Sequence, residues 1–151
     1  MHLVAGILLI LFDQISKWWV QSTLLPGHSL PVLPPWFFIT HVQNPGAAFG
    51  LMANRTPLII VVSLGVVIAA WVKRKQIARQ PRTLRWGITL SLSGAIGNLI
   101  DRIRVGQVID FLDLRIWLWV FNVADICIVV GVTLLIWSLY RLPIPKVSTS
   151  E

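Results

Sequence analysis

The sequence has few charged residues and a single cysteine. Only 13% of its 151 residues are Asp, Glu, Lys or Arg, whereas 56% are hydrophobic and the mean hydropathy is +0.76. A soluble globular domain carries roughly 25% charged residues, so a chain this apolar needs lipid as part of its solvent. This composition excludes a disordered chain and a coiled coil, and the lone Cys127 excludes a disulfide scaffold.

The sequence also lacks the usual motifs of hydrolytic and nucleotide chemistry. It has no H-E-x-x-H or similar metal-binding spacing and no Gly-rich phosphate loop. Its three histidines, His2, His28 and His41, lie at the N-terminus and in one loop, with no nucleophilic serine motif in the chain. Cys127 has no histidine near it in sequence to form a thiolate. We therefore expect no metal or other cofactor and no covalent nucleophile.

Four apolar runs approach the length of a membrane-spanning helix. They cover residues 3–24, 57–72, 86–101 and 117–140. The second and third hold about 16 residues, or about 24 Å of helix, so they need a thinned bilayer or flanking residues. The first is not interpreted as a signal peptide, because it lacks a basic leader and a small-residue cleavage site. The sequence predicts an all-α integral membrane protein with four spans in a single domain, 1–151.

The basic residues predict the orientation of these spans. Segment 73–85 carries six Lys and Arg residues and no acid, which is typical of a cytoplasmic loop. Arg141 and Lys146 after the last run agree with this orientation. Both termini are then cytoplasmic, and the loop 26–56 and the link 103–116 face the outer side. The net charge of +7 thus reflects topology, and we expect no nucleic-acid partner.

The outer loop 26–56 predicts a small β-sheet on the membrane surface. Its prolines argue against a long helix, and segment 36–42 has the aromatic and β-branched composition of a strand. Exposed aromatic residues such as Trp36 would contact lipid or form an interfacial belt, and the eight tryptophans fit either interpretation. We expect residues 36–54 to act as a mobile lid.

Polar side chains inside the apolar runs are the candidates for function, because an ionisable group in a membrane span costs several kcal/mol unless it has a partner. In the first run Asp13, Lys17 and Gln21 lie four residues apart on one helix face. We interpret Asp13 and Lys17 as a structural ion pair in which Lys17 reaches outward.

Further polar residues collect near the outer ends of the third and fourth runs. Asn98 and Arg102 share one face of the third run, with Asp101 about 24 Å along the helix from the cytoplasmic loop. Asp125 lies about one and a half turns into the fourth run, with Asn122 on its face. Polar groups inside a membrane span need polar partners, so we expect these side chains to contact one another.

A pair of carboxylates is the chemistry that these residues allow. Two aspartates held a few ångströms apart cannot both ionise, so one keeps its proton and the pair offers a base and an acid together. Amide hydrolysis needs both, since one carboxylate deprotonates water and the other supplies a proton to the leaving amine. We predict Asp110 and Asp125 as this catalytic pair, with Asp101 and Asp113 outside it.

Two other functions remain open at this stage. A proton-coupled transporter or channel would also place acids in membrane spans, but segments 61–71 and 128–137 hold little beyond Ser63 and Thr133 to line a polar path. A scaffold would bind lipidated helices without cutting them. Cleavage of a lipidated peptide separates an enzyme from both alternatives.

Five short stretches contain most of these polar residues. They are 13–17 (DQISK), 44–50 (NPGAAFG), 97–102 (GNLIDR), 108–111 (VIDF) and 121–125 (FNVAD). In their order and spacing the chain resembles lipoprotein signal peptidase, the bacterial signal peptidase II, over most of residues 8–135.

The resemblance implies an aspartic endopeptidase of the bacterial cytoplasmic (inner) membrane, which cuts prolipoproteins before a cysteine that carries diacylglycerol. It makes Asp110 and Asp125 the catalytic pair and residues 26–56 an outer β-cradle. The implied partners are a lipidated prolipoprotein and membrane phospholipid, and we expect a monomer. Support for the substrate and the pair falls to Asn44, Gly46, Asn98, Arg102 and Asn122, and the structural polar residues are Asp13, Lys17 and Asp101.

Overall fold

A computed structural model of the chain describes residues 2–46 and 56–141. Five helices and three strands lie within these residues. In chain order they are α1 (His2–Thr23), β1 (Ser29–Leu33), β2 (Phe37–Asn44), α2 (Thr56–Val72), α3 (Arg74–Ile77), α4 (Arg82–Val105), β3 (Val108–Leu114) and α5 (Val123–Tyr140). The protein is therefore mostly helical with one small antiparallel sheet, as the sequence predicts.

Helix α4 lies at the centre of the fold and packs against α1, α2 and α5. Small residues let α4 and α5 approach closely. A Cβ atom on Gly94 would collide with the Ala124 carbonyl oxygen, and one on Gly87 would lie 2.9 Å from the Leu135 side chain. This close backbone approach is how helices pack where lipid supplies no hydrophobic driving force.

The surfaces that face away from α4 are apolar. Ile15 on α1 is 62% exposed and Val129 on α5 is 65% exposed, and many other large aliphatic side chains are similarly uncovered. Within the described residues, α1 and α5 are long and apolar enough to cross a membrane, and α2 is a shorter apolar helix. Exposed apolar surface of this extent fits a lipid environment.

The sheet has the strand order β1, β2, β3, with both neighbouring pairs antiparallel. The sheet predicted within the loop 26–56 is present, but the prediction missed its third strand, which comes from the link 103–116. Helix α4 ends where Gly106 adopts a left-handed φ of 79°, and the chain then extends beside β2. A short strand that is stabilised by pairing with a distant part of the chain is difficult to recognise from its own sequence.

The start of the last helix was also predicted wrongly. Residues 117–122 do not belong to it, because the chain first turns back along β3, where Phe121 forms a bridge with Leu112. Asn122 then caps α5, whose first residue is Val123. The apolar run 117–140 therefore contains a turn as well as a helix.

The predicted lid is only partly described. Residues 37–44 form β2, the central strand, which pairs on both sides and so cannot swing as a lid. The His41 ring further ties β2 to the end of α1, since its Nδ1 lies 2.7 Å from the Leu24 carbonyl oxygen. Residues 47–54 lie outside the described part of the chain.

Candidate active site

Asp110 lies on β3, where it faces the end of β2. It stands opposite Val42 in the register, so Asn44, two residues further along β2, projects from the same face. The Asn44 Nδ2 donates to Asp110 Oδ2 at 2.9 Å, and the Asn122 Nδ2 donates to Asp110 Oδ1 at 2.6 Å. The Asp110 residue is only 2% exposed, so its carboxylate is held from two sides in a nearly dry position.

Asp125 lies in the first turn of α5. It forms a capping box with Asn122, in which the Asn122 side chain accepts the Asp125 backbone N–H at 2.9 Å and Asp125 Oδ2 accepts the Asn122 backbone N–H at 3.2 Å. The Asn98 Nδ2 donates to Asp125 Oδ1 at 2.8 Å. Both oxygens of this carboxylate therefore accept an N–H, as both oxygens of Asp110 do.

The three asparagines around the two carboxylates have fixed amide orientations. In each of them the Oδ1 atom accepts a hydrogen bond: Asn44 from the Gly46 backbone N–H at 3.0 Å, Asn98 from Lys17 Nζ at 2.9 Å, and Asn122 from the backbone N–H of the residue that it caps. Because Oδ1 is occupied in this way, each Nδ2 must point at a carboxylate. The amide N–H groups of the three asparagines thus face the carboxylate oxygens of Asp110 and Asp125, which accept their hydrogen bonds.

A buried ionic cluster lies next to the site and contacts it through Asn98. Lys17 is fully buried, and its Nζ lies 2.9 Å from Asp13 Oδ2 and 2.7 Å from Asp101 Oδ2. Asp13 Oδ1 also accepts the Ala124 backbone N–H of α5 at 2.9 Å, which adds an anionic cap at the positive end of that helix. The predicted contact between Asp13 and Lys17 is present, but the prediction that Lys17 reaches outward was wrong, because Asp101 is a second acid that holds the same ammonium inside the protein.

Two features of this cluster were missed from the sequence. Gln14 joins it through Nε2, which lies 3.1 Å from Asp13 Oδ2, Asp101 Oδ1 and the Gly97 carbonyl oxygen. Gly97 leaves room for Asp13, since a Cβ there would lie 2.6 Å from Asp13 Oδ2. A polar Gln14 within an apolar run was a usable signal, whereas the role of Gly97 depends on how two helices meet.

Arg102 reaches toward the chain that follows β2. Its guanidinium donates to the Asn98 carbonyl oxygen at 3.2 Å and to the Gly46 carbonyl oxygen at 3.3 Å. No ion pair links it to an aspartate within the described residues, where the salt bridges involve Lys17 and Arg115. Arg102 therefore holds the end of β2 in place through Gly46.

Asp113 lies apart from this site. It is three residues beyond Asp110 on β3, and alternate strand residues face opposite sides. Its carboxylate accepts the Thr40 hydroxyl at 2.6 Å and pairs with the Arg115 guanidinium at 3.2 Å. These contacts hold β3 to β2 and share no partner with Asp110.

The pKa of Asp110 is shifted toward neutral pH. Burial, together with the nearby charge of Asp125, raises the pKa of Asp110 to about 7, although two asparagine N–H bonds and the Lys17 ammonium oppose the shift. Near neutral pH this carboxyl therefore exchanges a proton readily, as a general acid or base must.

Other reactive side chains of the described residues stand outside the site. Cys127 is buried and free, and the His41 ring bonds to the Leu24 carbonyl oxygen just after α1. No group of three or more His, Cys, Asp and Glu residues in the described ranges has the geometry to hold a metal ion. The chemistry available to the site is that of two carboxylates.

Comparisons with known proteins identify the family of this chain. The model of the family described as signal peptidase (SPase) II matches residues 5–141. The chain belongs to the signal peptidase II family. It is 46% identical over 137 residues to the lipoprotein signal peptidase of Moorella thermoacetica, covering 91% of each chain. It is 44% identical over 137 residues to that of Pelotomaculum thermopropionicum, covering 91% of this chain and 88% of the other.

A solved structure has the same fold. A bacterial membrane enzyme determined by the in meso method at 2.3 Å resolution superposes with a TM-score of 0.86 and 30% identity, covering 93% of this chain and 87% of that one. Membership of the signal peptidase II family confirms the resemblance read from the five sequence stretches. The chain is therefore a membrane peptidase of the aspartic class, and the transporter or channel alternative is not favoured.

Proposed function

We propose that the chain removes the signal peptide from diacylglyceryl-modified prolipoproteins by cutting before the lipidated cysteine, with Asp110 and Asp125 as the catalytic carboxylates. The observation that carries this assignment is the position of Asn122. Its side chain donates to Asp110 while its backbone donates to Asp125, so one residue ties together two acids from different elements. The names of the related peptidases support the substrate class.

The two carboxylates share one proton in the resting site, because the charge of the half-buried Asp125 acts on the buried Asp110 and two neighbouring anions repel each other. The ionised member takes a proton from a water molecule as its oxygen attacks the scissile carbonyl. The protonated member first donates a hydrogen bond to the carbonyl oxygen and then gives a proton to the leaving amine as the C–N bond breaks. The proton removed from water restores the pair, whose titration belongs to both members.

The asparagines and Arg102 hold the catalytic groups and the substrate-facing backbone in place. Asn98 and Asn122 hold the carboxylates through Nδ2 donors, and Arg102 fixes Gly46 next to Asn44, where an extended substrate backbone would run. Fixed donors of this kind stabilise developing charge without reorganising during the reaction.

The proposed topology has four spans, α1, α2, α4 and α5, in the bacterial cytoplasmic membrane, with both termini cytoplasmic and a monomeric chain. Trp71 and Trp137 support it, because they lie near the ends of α2 and α5 with the guanidiniums of Arg74 and Arg141 stacked on their rings at 4.7 and 4.4 Å. Tryptophan is enriched at both membrane interfaces and arginine on the cytoplasmic side. Asp110 and Asp125 then lie at the outer interface, within reach of a substrate anchored in that leaflet.

A cleavage assay tests the proposed function. Purified protein in detergent is incubated with a fluorescent prolipoprotein peptide that carries the diacylglyceryl cysteine, and the products are located by mass spectrometry. We expect one cut immediately before that cysteine, and a much slower reaction with the same peptide lacking the lipid. Intact lipidated peptide after long incubation, with the protein still folded, would refute the proposal.

The pH dependence of cleavage is a second expectation. Because the pKa of Asp110 is raised to about 7, kcat should fall as the pH rises through that value, where the pair loses its shared proton. The folded state also holds this proton more tightly than the unfolded state does, so wild-type stability should fall as pH rises from about 4 to about 7. Thermal unfolding of Asp110→Asn should lack that part of the pH dependence. A kcat that rises steadily from pH 6 to pH 9 would contradict a required proton on the pair.

A further inference from the structure

The turn between β3 and α5 exposes an unbroken run of large apolar side chains. We call residues 116–119 the tip loop. Ile116 is 73% exposed, Trp117 61%, Leu118 87% and Trp119 46%. Four consecutive exposed apolar residues are unfavourable in a turn that faces water, so the exposed area of this segment suits an apolar environment.

The apolar surface continues onto the neighbouring edge of the sheet. The Arg115 backbone N–H donates to the Trp36 carbonyl oxygen at 3.0 Å, which places Trp36 beside the tip loop. Trp36 is 59% exposed, and Leu33 at the end of β1 is 63% exposed. The tip loop is therefore part of a wider apolar rim at the end of the sheet remote from Asn44.

The tip loop is also joined closely to the apolar surface of α5. The chain returns from it through Phe121, which pairs with Leu112, and α5 begins two residues later at Val123. Ile126 and Val129 then continue an exposed apolar face along α5. The exposed apolar face of α5 therefore begins seven residues after Trp119.

Charge in this region favours lipid as the partner. Segment 114–121 contains no acidic residue, and its one charged residue is Arg115. That guanidinium pairs with Asp113 and stacks 4.4 Å above the Phe38 ring, so it is held on the sheet. Two tryptophans with aliphatic neighbours and no acid form a surface that suits the interfacial zone of a bilayer.

We propose that the tip loop inserts into the outer leaflet of the membrane and thereby holds β3 at a fixed depth. This rests on the topology given under the proposed function. Because β3 leads directly into the tip loop and carries Asp110, anchoring the loop sets the height of that carboxylate relative to the lipid. The scissile bond of a lipidated substrate lies at a fixed height too, since its acyl chains are in the same leaflet.

Site-directed spin labelling of the full chain tests this proposal. The single native cysteine is replaced by Cys127→Ser, or Cys127→Ala if serine lowers the yield, and a nitroxide is attached to Leu118→Cys in lipid nanodiscs. Val129→Cys on α5 is the reference for lipid, and Gln80→Cys in the basic loop is the reference for water. We expect the label at 118 to resemble that at 129, with collisions with oxygen exceeding those with a water-soluble nickel chelate severalfold.

Each other result counts against the proposal. A label at 118 that behaves like the one at 80, while 129 reports lipid, shows that the tip loop lies in water. A label at 129 that reports water overturns the topology and the tip-loop proposal with it. Dipolar broadening between labels at 118 indicates that a second copy covers the loop, and protection that arises only on adding lipidated peptide identifies substrate as the partner.

Discussion

Replacing Asp110 or Asp125 with asparagine is expected to lower kcat for prolipoprotein cleavage by about 10²- to 10⁴-fold, the range that general acid–base catalysis contributes. The amide keeps the size of the carboxyl group but cannot take a proton from water or share one with its neighbour. Because Asn122 and the other donors remain, substrate binding should change much less than kcat. The measurement is kcat and KM with the lipidated peptide, alongside the unfolding temperature of each variant.

Asp113→Asn is the matched control for these variants. It sits on the same strand and is also buried, but its partners are Thr40 and Arg115. Any loss should appear in the stability of the sheet, with kcat changed by only a few fold. Full turnover by Asp110→Asn together with an inactive Asp113→Asn would reverse the assignment of the strand carboxylate.

The helices were largely predictable because their apolar runs are long and local. The predicted runs 3–24 and 57–72 agree closely with α1 and α2, since the helix-breaking Pro26 and Gly27 follow the first run and basic residues follow the second. Helix α4 starts four residues before the predicted 86 because its first turn is basic and projects beyond the apolar run. Local composition therefore located the four long helices to within about a turn, apart from the start of α5, and did not indicate the short α3.

The arrangement between elements was less predictable. Helical spacing places Lys17 beside Asp13, but nothing in the spacing shows that Asp101 meets the same ammonium, because that contact depends on how α1 packs against α4. The third strand had the same limitation, since β3 is stabilised by pairing with β2. The position of polar residues within apolar runs was still informative, because such residues need polar partners in a membrane. Asn98, Asn122 and Asp125 are hydrogen-bonded to one another.

Asn122 is the residue whose loss should be most damaging after the two aspartates. It is fully buried, its side chain contacts Asp110, and it caps α5 at Asp125. Asn122→Ala removes both functions together. We expect kcat to fall by about 10²-fold or more, as for the loss of a positioned catalytic donor, and stability to fall by about 0.5–2 kcal/mol from the lost cap.

Asn122→Ser separates positioning from capping. A serine hydroxyl can still accept the Asp125 backbone N–H, since serine is among the preferred capping residues, but it has no amide to donate to Asp110. Stability should therefore return toward that of the parent while kcat stays as low as in Asn122→Ala, with KM little changed in both. Recovery of kcat in Asn122→Ser would mean that Asn122 serves only to begin α5. If kcat stays low although the cap is restored, the loss comes from the missing Asn122 Nδ2 donor, because the cap and the fold are then intact. That donor bonds to Asp110 Oδ1 and also to Asn98 Oδ1 and the Ile109 carbonyl oxygen, so it keeps Asp110 aligned with the donors around Asp125.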